Sequence, residues 1–116
     1  MAKVYLVNTF SLNMLQKKSG TVKTKPVELQ EVKELLKEHT AISYISHQST
    51  AQVLSRLLGQ EVKANRQNLI LEDGDRLLVF QLNVRPKEGQ VFTEEELQDI
   101  VKSGKYSFWL LEVNYT

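Results

Sequence analysis

Runs of β-prone residues alternate with segments of helical periodicity along this chain, and that alternation limits the fold more than any other feature. Lys3 to Asn8 brings Val4, Tyr5, Leu6 and Val7 together, the pattern of a strand buried on both faces. Ser11 is placed to cap a brief helix that carries Leu12 and Leu15 on one side. Ser19-Gly20 breaks the chain, Thr21 to Thr24 alternates as a half-exposed strand does, and Pro26 follows. Leu29, Val32, Leu35 and Leu36 recur at helical spacing, and that helix is expected to stop near His39, where the histidine caps the end or faces solvent. Ala41 to Ile45 is again β-prone. Ser49 with Gln52 predicts a capping box, opening a helix with Val53, Leu54, Leu57 and Leu58 that ends at Gly59. Leu69 to Leu71, the Glu72-Asp73-Gly74-Asp75 turn and Leu77 to Val84 predict a hairpin, broken off at Arg85-Pro86-Lys87-Glu88-Gly89. Thr93 with Glu96 predicts a second capping box, with Leu97, Ile100 and Val101 behind it and Gly104 at its end. Tyr106 to Val113 is the last strand. The fold class is therefore α/β (α+β): one mixed β-sheet of five to six strands flanked by about three helices, in a single domain over residues 1–116.

Composition then removes several chemistries. A chain of 116 residues has room for one core, not two. Its 15 Lys and Arg nearly cancel its 14 Asp and Glu, leaving a formal charge of +1. Coating duplex DNA takes a clustered cationic surplus, so duplex nucleic acid is not the expected partner. With no cysteine there is no disulfide, thiolate metal site or thiol nucleophile. Two histidines, His39 and His47, are too few for a multi-histidine metal site within one chain. The first residues lack the apolar region of a signal peptide, and no apolar run reaches the length that spans a bilayer. A cytoplasmic protein without membrane contact is the expectation.

Three polar junctions lie where strands are expected to finish: Asn8 to Asn13, Ser46 to Thr50, and Arg85 to Gly89. His47 follows a strand and precedes a helix N-terminus, where free N–H groups and the helix dipole favour an anion. A histidine beside an anion gains proton affinity and serves as a general acid, whereas a backbone-bonded histidine at a strand end is the plainer alternative. Arg85 and Glu88 project from one turn, a guanidinium fork for phosphate beside a carboxylate, or simply a surface ion pair. Ser11, with Asn8 and Asn13, offers a hydroxyl and amides to an anionic ligand, or caps a helix. Arg66 after Asn65 is a further candidate cation. Dinucleotide-binding and P-loop glycine patterns, HExxH and EF-hand spacing are missing, and no GxSxG elbow supports a serine hydrolase.

At these junctions the sequence resembles the viral anti-CRISPR ring nuclease family of type III systems. Lys3 to Leu15 is similar to the family's N-terminal signature almost residue for residue, and Ile45-Ser46-His47-Gln48-Ser49-Thr50 resembles its histidine motif. Leu58-Gly59 with Asn65-Arg66 resembles a third segment, and Gln81 with Arg85, Glu88 and Gly89 a fourth. Gly104-Lys105 and Phe108 to Val113 resemble the closing strand, so the likeness runs along essentially the whole chain. Ser46 stands in place of a glycine common before the histidine, Val84 in place of a glutamine, and Pro86-Lys87 differs from the usual pair.

The resemblance implies cleavage of cyclic tetra-adenylate to linear di-adenylate ending in a 2′,3′-cyclic phosphate, without metal or cofactor. It implies a homodimer with the ring bound across the two-fold axis, a symmetry that the ring shares. It also implies roles: His47 as general acid, Arg85 against charge on the phosphoryl oxygens, Ser11 on the scissile phosphate, and Glu88 assisting His47 or the nucleophile. Asn8, Asn13, Arg66 and Gln81 are then contacts to phosphates or adenines. Two other readings stay open, a sponge that binds a cyclic oligonucleotide without turnover and a small DNA-binding regulator of a mobile element.

Overall fold

The computed structural model describes residues 3–84 and 92–116. The turn carrying Arg85, Glu88 and Gly89 lies outside the described residues. These residues form one five-stranded mixed sheet with three α-helices, as the alternation predicts. In chain order they are β1 (Lys3–Val7), β2 (Gly20–Val27), α1 (Leu29–Glu38), β3 (Thr40–Ser43), α2 (Gln48–Leu58), β4 (Arg76–Leu82), α3 (Glu94–Ser103) and β5 (Tyr106–Tyr115). A 3-10 turn, Leu12–Met14, follows β1.

The strand order is β2-β5-β4-β1-β3. Strand β1 runs parallel to both neighbours, with Val4 level with Ala41 on one side and with Arg76 on the other. Strand β5 is antiparallel to β4 and β2. The carboxyl ends of β1, β3 and β4 therefore share one edge of the sheet, where α/β folds usually hold their ligands.

All three helices cover one face. Val4, Leu6, Leu78, Phe80 and Phe108 meet Val32 of α1, Val53, Leu54 and Leu57 of α2, and Leu97 and Ile100 of α3. The opposite face is covered by loops, through Val7, Leu77, Val79, Leu111 and Val113 against Leu69, Leu71, Phe10, Met14 and Leu15. Strand β4 is buried from Leu77 to Phe80, which is why it reads as a continuous apolar run.

Helix ends follow local chemistry where the cap is intrinsic. The Thr93 hydroxyl accepts from the Glu96 N–H, and the Glu96 carboxylate accepts from the Thr93 N–H. Gly59 and Gly104 end α2 and α3 at φ of 69° and 64°, which only glycine adopts freely.

Five expectations are corrected by tertiary contacts. Leu69 to Leu71 is a packed loop and not a strand: the Leu71 N–H donates to the Met14 carbonyl, and the Leu71 carbonyl accepts from the Tyr115 hydroxyl. The hairpin partner expected for β4 is replaced by β1 and β5, although the turn itself forms, with Gly74 at φ 82°. The Ser49–Gln52 capping box does not form. Helix α2 starts at Gln48 with His47 as its N-cap, Ser49 is buried in the first turn, and the Gln52 carboxamide is engaged by Phe92. Gly20 does not break the chain but begins β2, so close to β5 that a Cβ would lie 2.6 Å from the Asn114 carbonyl oxygen. Pro26 is tolerated because β2 is an edge strand. Leu12 and Leu15 part company, Leu15 packing on the sheet while Leu12 stays exposed.

Candidate functional site

At the carboxyl edge of the sheet, Asn8 leaves β1 and reaches across to the loop between β3 and α2. Its Oδ1 accepts from the Ser46 N–H at 2.9 Å and from the Ser46 hydroxyl at 2.8 Å. The same loop is held from its other side. Asn65 donates its side-chain amide to the Ser43 carbonyl at 2.9 Å and its backbone N–H to the Ile45 carbonyl at 2.7 Å. The Ser43 hydroxyl donates to the Lys63 carbonyl, and the Tyr44 N–H to the Leu6 carbonyl. Two chain segments, the end of β1 and Lys63 to Asn65, thus fix the residues just before His47.

His47 itself is exposed. It caps α2 in extended backbone, and no side-chain hydrogen bond closes that helix end. Among the described residues its imidazole has no hydrogen-bond partner. The first N–H groups of α2 form an end suited to an anion, with Ser49 and Thr50 only 5% and 7% exposed in its first turn. Sequence reasoning used Ser49 for a cap and passed over Thr50; the signal available was two hydroxyl residues directly after a strand-end histidine.

Arg66 follows Asn65, whose two bonds bring this exposed arginine beside the Ser43–Ile45 loop. Gln81 is exposed near the end of β4, on the face away from the helices and two residues past Val79, which pairs with Val7. Ser11 caps the 3-10 turn, its hydroxyl accepting from the Asn13 N–H at 3.3 Å. Hydrogen bonds tie Asn8 to Ser46 and Asn65 to the Ser43–Ile45 loop, His47 and Arg66 being the next residues in the chain after Ser46 and Asn65, while Ser11, Asn13 and Gln81 follow or lie near the ends of β1 and β4. Arg85 and Glu88 lie outside the described residues.

Asn8 and Ser46 carry the main revision. Asn8 was expected as a ligand contact, and its carbonyl oxygen is occupied by the loop it supports. Ser46 replaces the glycine of the resembling family without strain, since no described non-glycine residue has a positive φ. Its hydroxyl adds a bond that glycine lacks.

His39 has a different position. It is the C-cap of α1; its Nδ1–H donates to the Leu35 carbonyl at 2.9 Å, which leaves Nε2 to accept from Arg76 at 2.6 Å. Ion pairs elsewhere are exposed: Arg56 with Glu94, and Lys105 with Asp99, whose carboxyls their hydrogen-bonded cations hold below the ordinary range. On the helix-free face Tyr5 stacks edge-on against Tyr44, with centroids 5.7 Å apart, and burial followed by Asp75 raises its phenol above the ordinary value. No described cluster of His, Asp and Glu is arranged to hold a metal. No described helix is long and apolar enough to cross a membrane.

Known proteins are similar to this chain in structure or in sequence. B116 of Sulfolobus turreted icosahedral virus superposes with a TM-score of 0.75 at 32% identity, over 95% of this chain and 98% of that one. Uncharacterized protein 26 of a Sulfolobus islandicus filamentous virus is 36% identical over 111 residues, covering 95% of this chain and 91% of its own. YddF of Bacillus subtilis is 33% identical over 94 residues, 79% of this chain. Residues 4–107 match the family described as STIV B116-like, and the chain belongs to that family.

Proposed function

We propose that this protein is a metal-independent ring nuclease that opens cyclic tetra-adenylate into linear di-adenylate, and so antagonises type III CRISPR signalling. The observation that carries the reading is the Asn8–Ser46 tether, which holds His47, without a hydrogen-bond partner among the described residues, at the start of α2. In the proposed step a ribose 2′-OH attacks its own 3′ phosphorus in line and gives up its proton to water or to Glu88. The P–O5′ bond breaks, and His47 gives its proton to the departing O5′. The product ends in a 2′,3′-cyclic phosphate. Holding an internal nucleophile in line supplies much of the rate, so a few polar groups suffice. Ser11 and the N-terminal amides of α2 hold the scissile phosphate, Arg85 stabilises charge on its oxygens, and Arg66 and Gln81 contact the rest of the ring. Glu88 orients His47 or assists the nucleophile, roles that the pH profile of Glu88→Gln separates.

The proposed active form is a dimer. Trp109 is 37% exposed on the helix-free face, and Leu12 and Ile70, at 77% and 55%, lie on the loops over that face. Exposed apolar side chains gathered on one side are suited to a second copy. Two protomers would cut a four-fold ring at opposite phosphates, which gives two di-adenylates.

The test is incubation of purified protein with labelled cyclic tetra-adenylate in EDTA, with chromatography of the products. Linear di-adenylate bearing a cyclic phosphate is expected from a particle of twice the chain mass. Tight binding without product would replace the nuclease by a sponge. No binding of the ring, with salt-sensitive retention on duplex DNA, would replace it by the regulator.

A further inference from the structure

Between Leu58, the end of α2, and Arg76, the start of β4, the chain forms neither helix nor strand, yet the stretch that leads to Arg66 is pinned at Val62, Lys63 and Asn65. The Val62 N–H donates to the Ser55 hydroxyl of α2 at 2.8 Å. The Ser43 hydroxyl, at the end of β3, donates to the Lys63 carbonyl at 2.6 Å and accepts from the Ile45 N–H at 3.3 Å. The Ser43 carbonyl accepts from the half-buried Asn65 side-chain amide, and the Ile45 carbonyl from the Asn65 N–H. Ser43 thus meets this stretch with both its hydroxyl and its carbonyl, and Asn65 answers with both its side chain and its backbone. A surface loop of irregular backbone is ordinarily mobile, and fixing each of its residues costs about 1–2 kcal/mol of entropy. These bonds act on the residue just before Arg66 and on the short loop that runs into His47. No residue outside the described ones lies between them.

We propose that Ser43 and Asn65 are positioning residues, whose clasp keeps the backbone at Arg66 in register with the loop that carries His47. This rests on the ring-nuclease reading for its effect on the ring, and on the hydrogen bonds for the clasp itself. One frame then serves both a phosphate contact and the general acid. Loosening it costs the guanidinium its place and displaces the acid, and an error near 1 Å costs about 100-fold in rate.

The experiment uses the full chain and three variants. Asn65→Leu keeps the branching of the side chain and removes its polar atoms; Ser43→Ala removes the hydroxyl, and Ser43→Thr keeps it. Amide hydrogen exchange reads the clasp at position 65 and at Ser46, whose acceptor on Asn8 none of the variants touches. Exchange at both amides is expected to rise at least about 10-fold in Asn65→Leu and Ser43→Ala and to stay near wild type in Ser43→Thr, with β1 and β4 unchanged. No rise at either amide overturns the clasp, and so does a rise shared equally by β1 and β4. Calorimetric titration with cyclic tetra-adenylate reads the placing of Arg66. Arg66→Ala is expected to weaken ring binding about 10-fold in the wild-type background and less than about 3-fold on Asn65→Leu, because the guanidinium has already lost its place. The same loss in both backgrounds overturns the positioning of Arg66. Turnover reads the placing of His47: kcat is expected to fall about 10-fold in Asn65→Leu and Ser43→Ala and to recover in Ser43→Thr. An unchanged kcat overturns the reach to His47. Wild-type protein that does not bind the ring overturns the nuclease reading and the effect on the ring, and the exchange result distinguishes that failure from a failure of the clasp.

Discussion

The two edges of the sheet are both polar, each carries one of the two histidines, and they differ in what their side chains are doing. At the amino edge the polar groups are engaged in building turns. Asp73 accepts from the Tyr115 N–H, Asp75 from the Glu72 N–H, and Arg76 donates to His39, itself bonded to α1. At the carboxyl edge the bonds go instead to backbone and loop. Asn8 and Asn65 fix the Ser43–Ser46 segment, and the groups that segment presents, His47 and Arg66, have no partner among the described residues. Satisfied polar groups stabilise; unsatisfied ones held by a rigid frame are available to a ligand. The contrast separates two histidines that composition treats alike.

The sharpest way to break that contrast is to exchange the histidines' fates. His47→Ala is expected to lower turnover of cyclic tetra-adenylate by about 10²- to 10⁴-fold while ring binding persists, measured by product chromatography and by titration calorimetry. His39→Gln should leave turnover nearly intact and shift the thermal midpoint downward. Equal losses from both would sink the distinction between the edges.

A smaller effect tests the frame. Asn8→Ala leaves the Ser46 N–H and hydroxyl without their acceptor and is expected to cost roughly 1–3 kcal/mol in urea unfolding, with turnover falling as His47 loses its support. Asn8→Asp keeps an acceptor oxygen and should recover most of that stability. An Asn8→Ala protein that unfolds like wild type would show the tether to be dispensable.

The arginines make a finer comparison. Arg66→Ala should weaken ring binding and flatten its dependence on salt, since a phosphate contact is lost. Arg76→Ala should lower stability and leave both binding observables alone. Matching salt slopes in the two variants would remove Arg66 from the site.

The smallest expected effect lies at the α2–α3 surface. The Arg56 hydrogen bond keeps the Glu94 carboxyl below its ordinary range in the folded chain. A lowered folded value stabilises above the unfolded pKa and is lost as pH falls through the folded one. Glu94→Gln should therefore narrow the stability difference between neutral and acid pH slightly, because exposed pairs contribute little. A change at neutral pH as large as that of Asn8→Ala would mean that this surface pair, and not the loop tether, holds α2 in place.

Elements whose causes are local were legible in the chain. The Thr93–Glu96 box, the glycines closing α2 and α3, and the apolar run of β4 were read from neighbouring residues and appear as read. His47 was found because strand end and helix start are both local signals. Other features were not legible, because their partners are far away in sequence. Leu69 to Leu71 looks like a strand until the Met14 and Tyr115 contacts take its backbone groups. Ser49 and Gln52 look like a capping box until Phe92 takes the carboxamide.

Sequence alone therefore determined the α+β class, the three helices and most strands, and the placing of His47 at a junction, since periodicity and capping act over a few residues. Tertiary structure decided the strand order, the helix-free face, the bonds that Asn8 makes, and which histidine is bonded among the described residues. Those rest on contacts distant in sequence: strand pairing joins β1 to β4 and β2 to β5, and side-chain bonds join Asn8 to Ser46, His39 to Arg76 and Gln52 to Phe92. Polar side chains have many possible partners in an open chain, and only the packed sheet selects one.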